Sequence, residues 1–256
     1  MIQETDTTPR TRNGHLVTTI STKTRTRFGS WNIRTLREQS RLAQVEDEMK
    51  RYKIQLLGLS EVRWLQAGEF QTTNGNIIIH SGSNNEGEHG VGIIIEKSLK
   101  NSITERRQVS NRILAIRLHT KIRKISVVQC YAPTEVSIDD KKDEFYAQLT
   151  TTLSSIPKKD IIMLMGDFNA KIGNEKVTGV TSNHGMGTRN NNGDRLIEIC
   201  QEFNLTMGGS MFPHKEIHKY TWTSPDGRTK NQIDHMCISR KWKQTLLDVR
   251  SWRGAE

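Results

Sequence analysis

The sequence predicts a mixed α/β fold, on the basis of two observations. Short apolar runs of strand length alternate with segments in which apolar residues recur at helical spacing. Several of the runs also follow one another directly along the chain, which favours adjacent antiparallel strands. Alternation alone favours a parallel sheet, so the combination indicates mixed sheets. A chain of 256 residues can form one large domain or two small ones.

The composition is typical of a soluble globular protein, with 34% hydrophobic and 26% charged residues. No apolar run approaches the roughly 18–20 residues that cross a membrane, and the polar N-terminus does not resemble a signal peptide. A net charge of +10 favours an anionic partner, most commonly nucleic acid, although a basic surface can also serve solubility alone. Cys130, Cys200 and Cys237 have apolar neighbours, which predicts reduced, buried thiols in an intracellular protein.

The first elements follow a polar leader. Residues 1–25 are rich in Thr, Arg and Lys without an apolar period, so we expect a disordered basic tail. Residues 27–33 and 54–59 predict two strands. Between them a helix is indicated, with Ser40 as its N-cap. The apolar residues at helical spacing in that helix are Leu42, Val45, Met49 and Tyr52.

Two strand pairs come next. Residues 77–79 and 91–95 predict a hairpin with a long polar loop, and residues 113–118 and 125–130 predict a second pair. A helix is expected after them. Ser137 and Asp140 have the spacing of a capping box at its start. The apolar face of this helix consists of Phe145, Leu149, Leu153 and Ile156.

The remaining elements end the domain, which we expect over residues 26–256. An apolar strand is predicted over residues 160–169, a polar Asn/Gly-rich loop over 173–193 and a helix over 195–203. Short strands are then predicted at residues 206–209, 220–223 and 232–239.

Polar side chains follow several predicted strands at the point where each ends. The apolar run before Gly166 leads into Asp167 and Asn169, which would face the same way in an extended backbone. A solvated turn is the alternative for any one such residue. The whole set comprises Asn32, Glu61, Tyr131, Asp167, Asn169 and Asp234. Oxygen-bearing groups without a His or Cys cluster suit a hard cation, Mg²⁺ with Mn²⁺ as the alternative.

These residues lie in five motifs whose order and spacing resemble the endonuclease/exonuclease/phosphatase superfamily, which includes DNase I and the apurinic endonucleases. The motifs are Trp31-Asn32-Ile33-Arg34, Ser60-Glu61-Val62-Arg63-Trp64, Tyr131-Ala132-Pro133, Gly166-Asp167-Phe168-Asn169 and Gln232-Ile233-Asp234-His235. The stretches 183–190, 221–227 and 249–254 are similar to endonuclease domains of non-LTR retrotransposons. The resemblance implies a DNase I-like four-layer sandwich, in which two mixed sheets pack face to face with helices outside.

The resemblance also implies an activity, namely Mg²⁺-dependent hydrolysis of a phosphodiester bond that nicks DNA. Glu61 would bind the metal, and Asn32 would order the ligand shell. Asp167 would position and deprotonate water. Asn169 and Tyr131 would donate hydrogen bonds to the phosphate as charge builds on it. A DNA substrate implies a nuclear location.

Further residues on loops beside the motifs are expected to contact the DNA, mainly at its phosphates. Any one of them could instead be ordinary surface. They are Arg34, Arg63, Trp64, His184, Arg189 and Asn191.

The sequence also departs from the family pattern. The family has a Ser-Asp-His motif on a final strand, and its His is oriented by the Asp that matches Asp234. No Ser-Asp-His occurs in this chain, so we expect a missing last core strand and an impaired site unless another chain completes it. His235 adjoins Asp234 but would face the opposite side of a strand, as a structural histidine.

Two alternatives remain open at this stage. One is a phosphatase or RNA deadenylase of the same superfamily, and the other is an inactive domesticated fragment that binds nucleic acid or protein. Asn231 stands where abasic-site specialists of the superfamily have Trp, which favours sequence-tolerant nicking over abasic-site recognition.

Overall fold

The fold was analysed in a computed structural model that describes residues 20, 24–83 and 87–252. The α-helices of this part of the chain are α1 (Gln39–Arg51), α2 (Asp139–Ser154) and α3 (Asn191–Glu202). Its strands are β1 (Phe28–Asn32), β2 (Leu56–Ser60), β3 (Ala67–Gln71), β4 (Ile77–Ser81), β5 (Val91–Ile95), β6 (Ile103–Ser110), β7 (Ile113–Leu118), β8 (Ile125–Tyr131), β9 (Ile161–Asp167), β10 (Leu205–Met207), β11 (Trp222–Thr223), β12 (Lys230–Asn231) and β13 (Asp234–Ser239).

The strands form two large mixed sheets, as the sequence predicts. The five-stranded sheet has the order β1-β2-β5-β4-β3, and only its β1–β2 pair is parallel. The six-stranded sheet has the order β10-β13-β9-β8-β7-β6, and only its β8–β9 pair is parallel. Strands β11 and β12 form a separate ribbon.

Three apolar clusters hold these elements in four layers. The central cluster lies between the sheets and includes Ile93 of β5 and Val127 of β8. A second cluster packs α2 and α3 on the outer face of the six-stranded sheet, and a third packs α1 on the five-stranded sheet. Strands β2, β5 and β8 are buried along their whole length, which explains why they consist mostly of apolar residues. The predicted DNase I-like sandwich is confirmed.

This topology brings the predicted site residues to one rim. Asn32 ends β1 in register with Ser60, which ends β2, and Tyr131 ends β8 in register with Asp167, which ends β9. Asp234 differs, because it begins its strand. It still reaches the same rim because β13 runs antiparallel to β9 and pairs Asp234 with Asp167.

The sequence missed two edge strands and misplaced two helix caps. Strands β3 and β6 are largely exposed and polar, so they give no apolar run. Ser40 lies inside α1, whose N-cap is Glu38 without a side-chain bond. Likewise Ile138, not Ser137, caps α2, and the hydroxyl of Ser137 bonds Thr134 instead. Helix α3 begins four residues before the predicted start.

Other expectations concern the margins of the domain. The predicted tail over residues 1–25 falls outside the described residues, apart from residues 20, 24 and 25. In the described part of the chain, no helix has the length and apolar character of a membrane span. Strand β1 forms an edge of the five-stranded sheet there, and its open side borders a cleft of about 1870 Å³.

Candidate active site

The amide of Asn32 joins the two sheets at the shared rim. Its Nδ2 donates to Glu61 Oε1 and to Asp167 Oδ2, each at 2.9 Å. Two carboxylates from different sheets therefore lie within about 6 Å of each other, since both oxygens contact one nitrogen. The rim residues converge across the cleft, which Asn32, Glu61, Tyr131, Asp167, Asn169 and Asp234 all line.

Glu61 accepts hydrogen bonds on both carboxylate oxygens. Oε1 receives Asn32 and the Tyr131 hydroxyl, the latter at 3.0 Å, and Oε2 receives Arg63 Nη2 at 2.8 Å. Burial alone would raise the pKa of Glu61, but these three donors outweigh it and hold the pKa below its usual value. Glu61 is therefore ionised at neutral pH.

Asp167 and Asp234 form a second, less neutralised pair of carboxylates. Asp167 is 4% exposed, and from the residues that the structure describes it accepts only Asn32 Nδ2 and the Asn169 backbone N–H, the latter at 3.0 Å. Burial raises the pKa of Asp167, in spite of these two donors. Burial and the charge of Asp167 raise the pKa of Asp234 well above its usual value. Within the described residues neither carboxylate forms an ion pair with Lys, Arg or His.

Tyr131 is held as a hydrogen-bond donor. Burial, followed by the charges of Glu61 and Asp167, raises the pKa of Tyr131 well above its usual value. Its hydroxyl therefore keeps its proton and donates to Glu61 at any physiological pH.

The backbone turns into the left-handed region at the rim. Residues with positive φ there are Arg34 (61°), Glu61 (58°), Arg63 (57°), His89 (61°) and Asn169 (49°). Non-glycine residues rarely adopt this conformation, and it clusters at functional sites where surrounding contacts offset its cost. These left-handed residues set the direction of the side chains that follow each strand.

The position of Asn169 corrects one part of the sequence argument. Strand β9 ends at Asp167, so Asn169 does not share a strand face with it by extended geometry. Its backbone N–H instead caps the Asp167 carboxylate, and its Nδ2 donates to the Ala132 carbonyl at 3.0 Å. Asn169 reaches the site through a left-handed turn.

His235 is structural, as expected from its strand position. It is 3% exposed, and its Nε2 lies 2.7 Å from the Ala170 carbonyl oxygen. Burial lowers its pKa to about 4, so the imidazole is neutral. In the described residues, no histidine forms a hydrogen bond with Glu61, Asp167 or Asp234.

The residues predicted to contact DNA divide into two groups. Arg34 is exposed and lines the cleft, and Arg63 pairs with Glu61. The others do not line the cleft and make internal contacts. Trp64 Nε1 donates to the Leu36 carbonyl, Arg189 Nε donates to the Ile172 carbonyl, and Asn191 begins α3 and accepts from Arg195. His184 lies in a turn away from the cleft. Their DNA contacts stay predictions.

Sequence reasoning missed two residues behind Tyr131. Arg112 Nη1 donates to the Tyr131 carbonyl at 3.0 Å, and its guanidinium carbon lies 5.2 Å from the centre of the Tyr131 ring. His89 Nε2 lies 3.0 Å from Arg112 Nη2, and its ring is 5.8 Å from that of Tyr131. Their sequence positions, a turn and a polar loop, carry no signal of this role.

The donor set fits a hard divalent cation. Mg²⁺ in proteins takes one or two carboxylates and completes its shell with waters and substrate phosphate. Glu61, with Asn32 beside it, supplies such a partial shell, and the unpaired Asp167 and Asp234 add negative charge. Among the described residues, no group of three or more His, Cys, Asp or Glu side chains is arranged to hold a metal. Protein side chains alone therefore do not complete a coordination shell at this rim.

Comparison with known proteins identifies relatives of the chain. It is 33% identical over 229 residues to craniofacial development protein 2 of Bos taurus, which covers 90% of this chain and 38% of that protein. The chain thus spans about two-fifths of this relative's length. The sequence thus resembles craniofacial development protein 2-like proteins.

Solved structures show the same fold. The apurinic endonuclease LMAP of Leishmania major superposes with a TM-score of 0.67 at 14% identity, over 87% of this chain and 81% of that one. The endonuclease domain of TRAS1, a telomere-specific non-LTR retrotransposon, gives a TM-score of 0.53 at 15% identity, over 84% and 85% of the two chains. The family model described as Endonuclease/Exonuclease/phosphatase matches residues 29–254. The chain therefore belongs to the endonuclease/exonuclease/phosphatase family.

Proposed function

We propose that the chain is a metal-dependent phosphodiesterase that nicks DNA and derives from a retrotransposon endonuclease. The observation that carries the proposal is the bridge of Asn32 between Glu61 and Asp167, which joins a carboxylate of each sheet in one cleft. The TRAS1 domain is a structural neighbour that supports the retrotransposon origin. A nuclear location is proposed because DNA is the substrate.

Asp167 is the general base of the proposed reaction. Each of its oxygens accepts one hydrogen bond, from Asn32 or from the Asn169 backbone, so each keeps a free acceptor position for a water. Burial raises the pKa of Asp167, and a carboxylate with a higher pKa is a stronger base. Asp167 takes the proton of the attacking water while that oxygen forms the bond to phosphorus. The ester bond between phosphorus and the leaving oxygen of the cleaved strand breaks at the same time, and that oxygen departs with the electron pair and is then protonated from solvent.

Tyr131 and Asn169 stabilise the charge that builds on the phosphate. Asn169 keeps one amide hydrogen beyond the one given to Ala132, so it is held in place before reaction and needs no reorganisation in the transition state. The single Tyr131 hydroxyl hydrogen is given to Glu61, so it has to rotate from Glu61 to the phosphate. Glu61 would hold the cation with Asn32 in its shell, and the bound cation supplies charge that neutralises the phosphate and the leaving oxygen.

DNA approaches through its phosphates, as the net charge of +10 favours. Arg34 is exposed, lines the cleft and follows the end of β1 by two residues. Three residues before Asp234 the sequence has the polar Asn231 rather than an apolar residue. The proposed activity therefore accepts DNA of varied sequence and does not require a flipped abasic sugar.

The turnover of this chain is expected to be slow. Histidine is a frequent catalytic group, and a missing acid–base or electrostatic group costs about 10²–10⁴ in rate. In the described residues, His235 faces Ala170 and His89 faces Arg112, so neither serves Asp234.

Nicking of supercoiled plasmid tests the proposal. Purified chain with Mg²⁺ should produce relaxed circles, and EDTA, Glu61→Gln or Asp167→Asn should abolish them. Glu198→Gln changes an exposed acid of α3 outside the cleft, so it is a matched control for Glu61→Gln and should retain activity.

Two other outcomes would redirect the proposal. Release of phosphate from DNA or RNA ends without nicking would favour the phosphatase or deadenylase alternative. Binding to DNA that survives both EDTA and Asp167→Ala, with no cleavage under any metal, would contradict the enzyme and favour a binding module.

A further inference from the structure

Arg63 occupies a position that competes with a cation. Its Nη2 lies 2.8 Å from Glu61 Oε2, the only Glu61 oxygen that neither Asn32 nor Tyr131 uses. A cation bound by Glu61 would need this oxygen, and its charge would repel the guanidinium. Arg63 and a divalent cation therefore cannot both bind Oε2 in this arrangement.

Arg63 is the one partner of Glu61 that can leave without disturbing the fold. Its side chain is 44% exposed, and within the described chain its guanidinium has no other acceptor than Glu61. Exposed ion pairs are weak, so the cost of separation is small. Asn32 is tied to both sheets, and Tyr131 is buried under Arg112, so neither can move away as easily.

The backbone of Arg63 is fixed, so only its side chain is free to move. Its N–H donates to the His89 carbonyl at 2.8 Å, and the neighbouring Val62 is fully buried. Val62 bonds Gly90 on one side and Leu36 on the other. An Arg side chain rotating about such a fixed point can exchange one anionic partner for another within its own reach.

We propose that Arg63 is a built-in competitor of the metal at Glu61, and that it passes from Glu61 to a DNA phosphate when the metal binds. The inference rests on the proposed function, since it requires a metal at Glu61. It makes metal binding and DNA binding mutually supportive: each ligand removes a restraint on the other, and the coupling is reciprocal.

Metal titration without DNA separates this competitor role from a plain DNA contact. Mn²⁺ binding is measured by isothermal titration calorimetry on wild type, Arg63→Gln and Arg34→Gln. Arg34→Gln is a matched control, because it removes the same charge from another residue of positive φ at the rim. Arg63→Gln should bind Mn²⁺ about fivefold more tightly than wild type, and Arg34→Gln no more than about twofold.

A second measurement tests the transfer to phosphate. In the Asp167→Asn background, which prevents cleavage, Mn²⁺ should strengthen binding of a short DNA duplex. Adding Arg63→Gln should remove most of that gain, whereas adding Arg34→Gln should weaken binding equally with and without Mn²⁺.

The outcomes distinguish the two hypotheses. Equal Mn²⁺ affinity of Arg63→Gln and Arg34→Gln, with binding still lost in Glu61→Gln, overturns the competitor and leaves the proposed metal site intact. Failure of wild type and both Arg variants to bind Mn²⁺ overturns the competitor and the metal-dependent function together.

Discussion

Two buried aspartates lie at opposite ends of the same strand, and they differ in the charge of the groups around them. Asp160 directly precedes β9 and is 8% exposed, and Asp167 ends it and is 4% exposed. Asp160 receives Arg117 Nε at 2.6 Å, Arg117 Nη2 at 2.8 Å and Ser126 Oγ at 2.8 Å. Asp167 receives two neutral donors and faces Asp234.

The difference teaches that burial of a carboxylate does not by itself mark function. A buried carboxylate with a bidentate Arg has its charge permanently balanced, so it serves structure. A buried carboxylate without a fixed cation retains unbalanced charge, which a bound metal, a proton or a hydrogen-bond donor of the substrate can neutralise.

Asp167→Asn should lower the initial rate of plasmid nicking by about a thousandfold, because the amide cannot accept a proton from water. The same substitution should leave stability unchanged or raise it, since it removes a buried charge without a partner. Retention of more than a tenth of the wild-type rate would contradict the role of Asp167 as base. Asp160→Asn, assayed at a temperature where it is folded, is the control and should keep its rate.

Asp160→Asn should lower the free energy of unfolding by about 3 kcal/mol, since it leaves Arg117 without its counter-charge. Urea unfolding followed by circular dichroism measures this loss, with Asp167→Asn as the matched variant at the other end of the strand. A loss below about 1 kcal/mol would show that the Arg117 pair adds little to the fold.

The metal-free protein should have a stability component that falls as pH rises. The pKa values of Asp167 and Asp234 are raised above their usual value of 3.8, so the folded state binds protons more tightly than the unfolded state. Their contribution is therefore fully present below about pH 4 and is lost as pH rises through the folded pKa values.

Glu61 contributes with the opposite sign because its pKa is lowered, so the wild-type curve alone is not the test. The test is the difference in unfolding free energy between wild type and Asp167→Asn/Asp234→Asn, measured against pH with and without Mg²⁺. As pH rises, the unfolding free energy of the double variant should increase relative to that of wild type. Mg²⁺ should make this increase smaller. If the difference in unfolding free energy does not vary with pH, Asp167 and Asp234 do not carry an unbalanced charge in the folded protein.

Ser126→Ala should have the smallest effect, a loss of about 1 kcal/mol, because one hydrogen bond to the Asp160 carboxylate disappears. Nicking should not change. Ser30→Ala is a matched control, since the buried Ser30 Oγ has no hydrogen-bond partner. It should be neutral or slightly stabilising in the same urea experiment, and equal losses in both variants would deny Ser126 a specific role.

Much of the fold could be predicted from the sequence because its central strands are buried on both faces. Such strands consist mostly of apolar residues, as in β5 and β8, and they are visible without any alignment. Strands β3 and β6 could not be found, since exposed edge strands carry polar residues and lack that signal.

The sequence could predict which residues meet at the rim, but not which contacts they make there. Glu61 and Asp167 stand out as acidic residues next to apolar runs, and the motifs add Asn32 and Tyr131. That Arg63 takes one oxygen of Glu61, and that Arg112 supports Tyr131, follows only from side-chain positions in space. Asn169 shows the same limit, because its orientation depends on a left-handed turn.

The sequence by itself determined which residue types stand at the strand ends, and therefore the kind of chemistry available there. Apart from the motif that contains Asp167, it could not separate Asp160 from Asp167, which are both acidic residues flanking one apolar run. The tertiary structure decided between them through partners that are 43 positions away for Asp160 and 135 positions away for Asp167. The physical reason is that the state of a carboxylate depends on burial and on the charges within a few ångströms, and folding alone sets both.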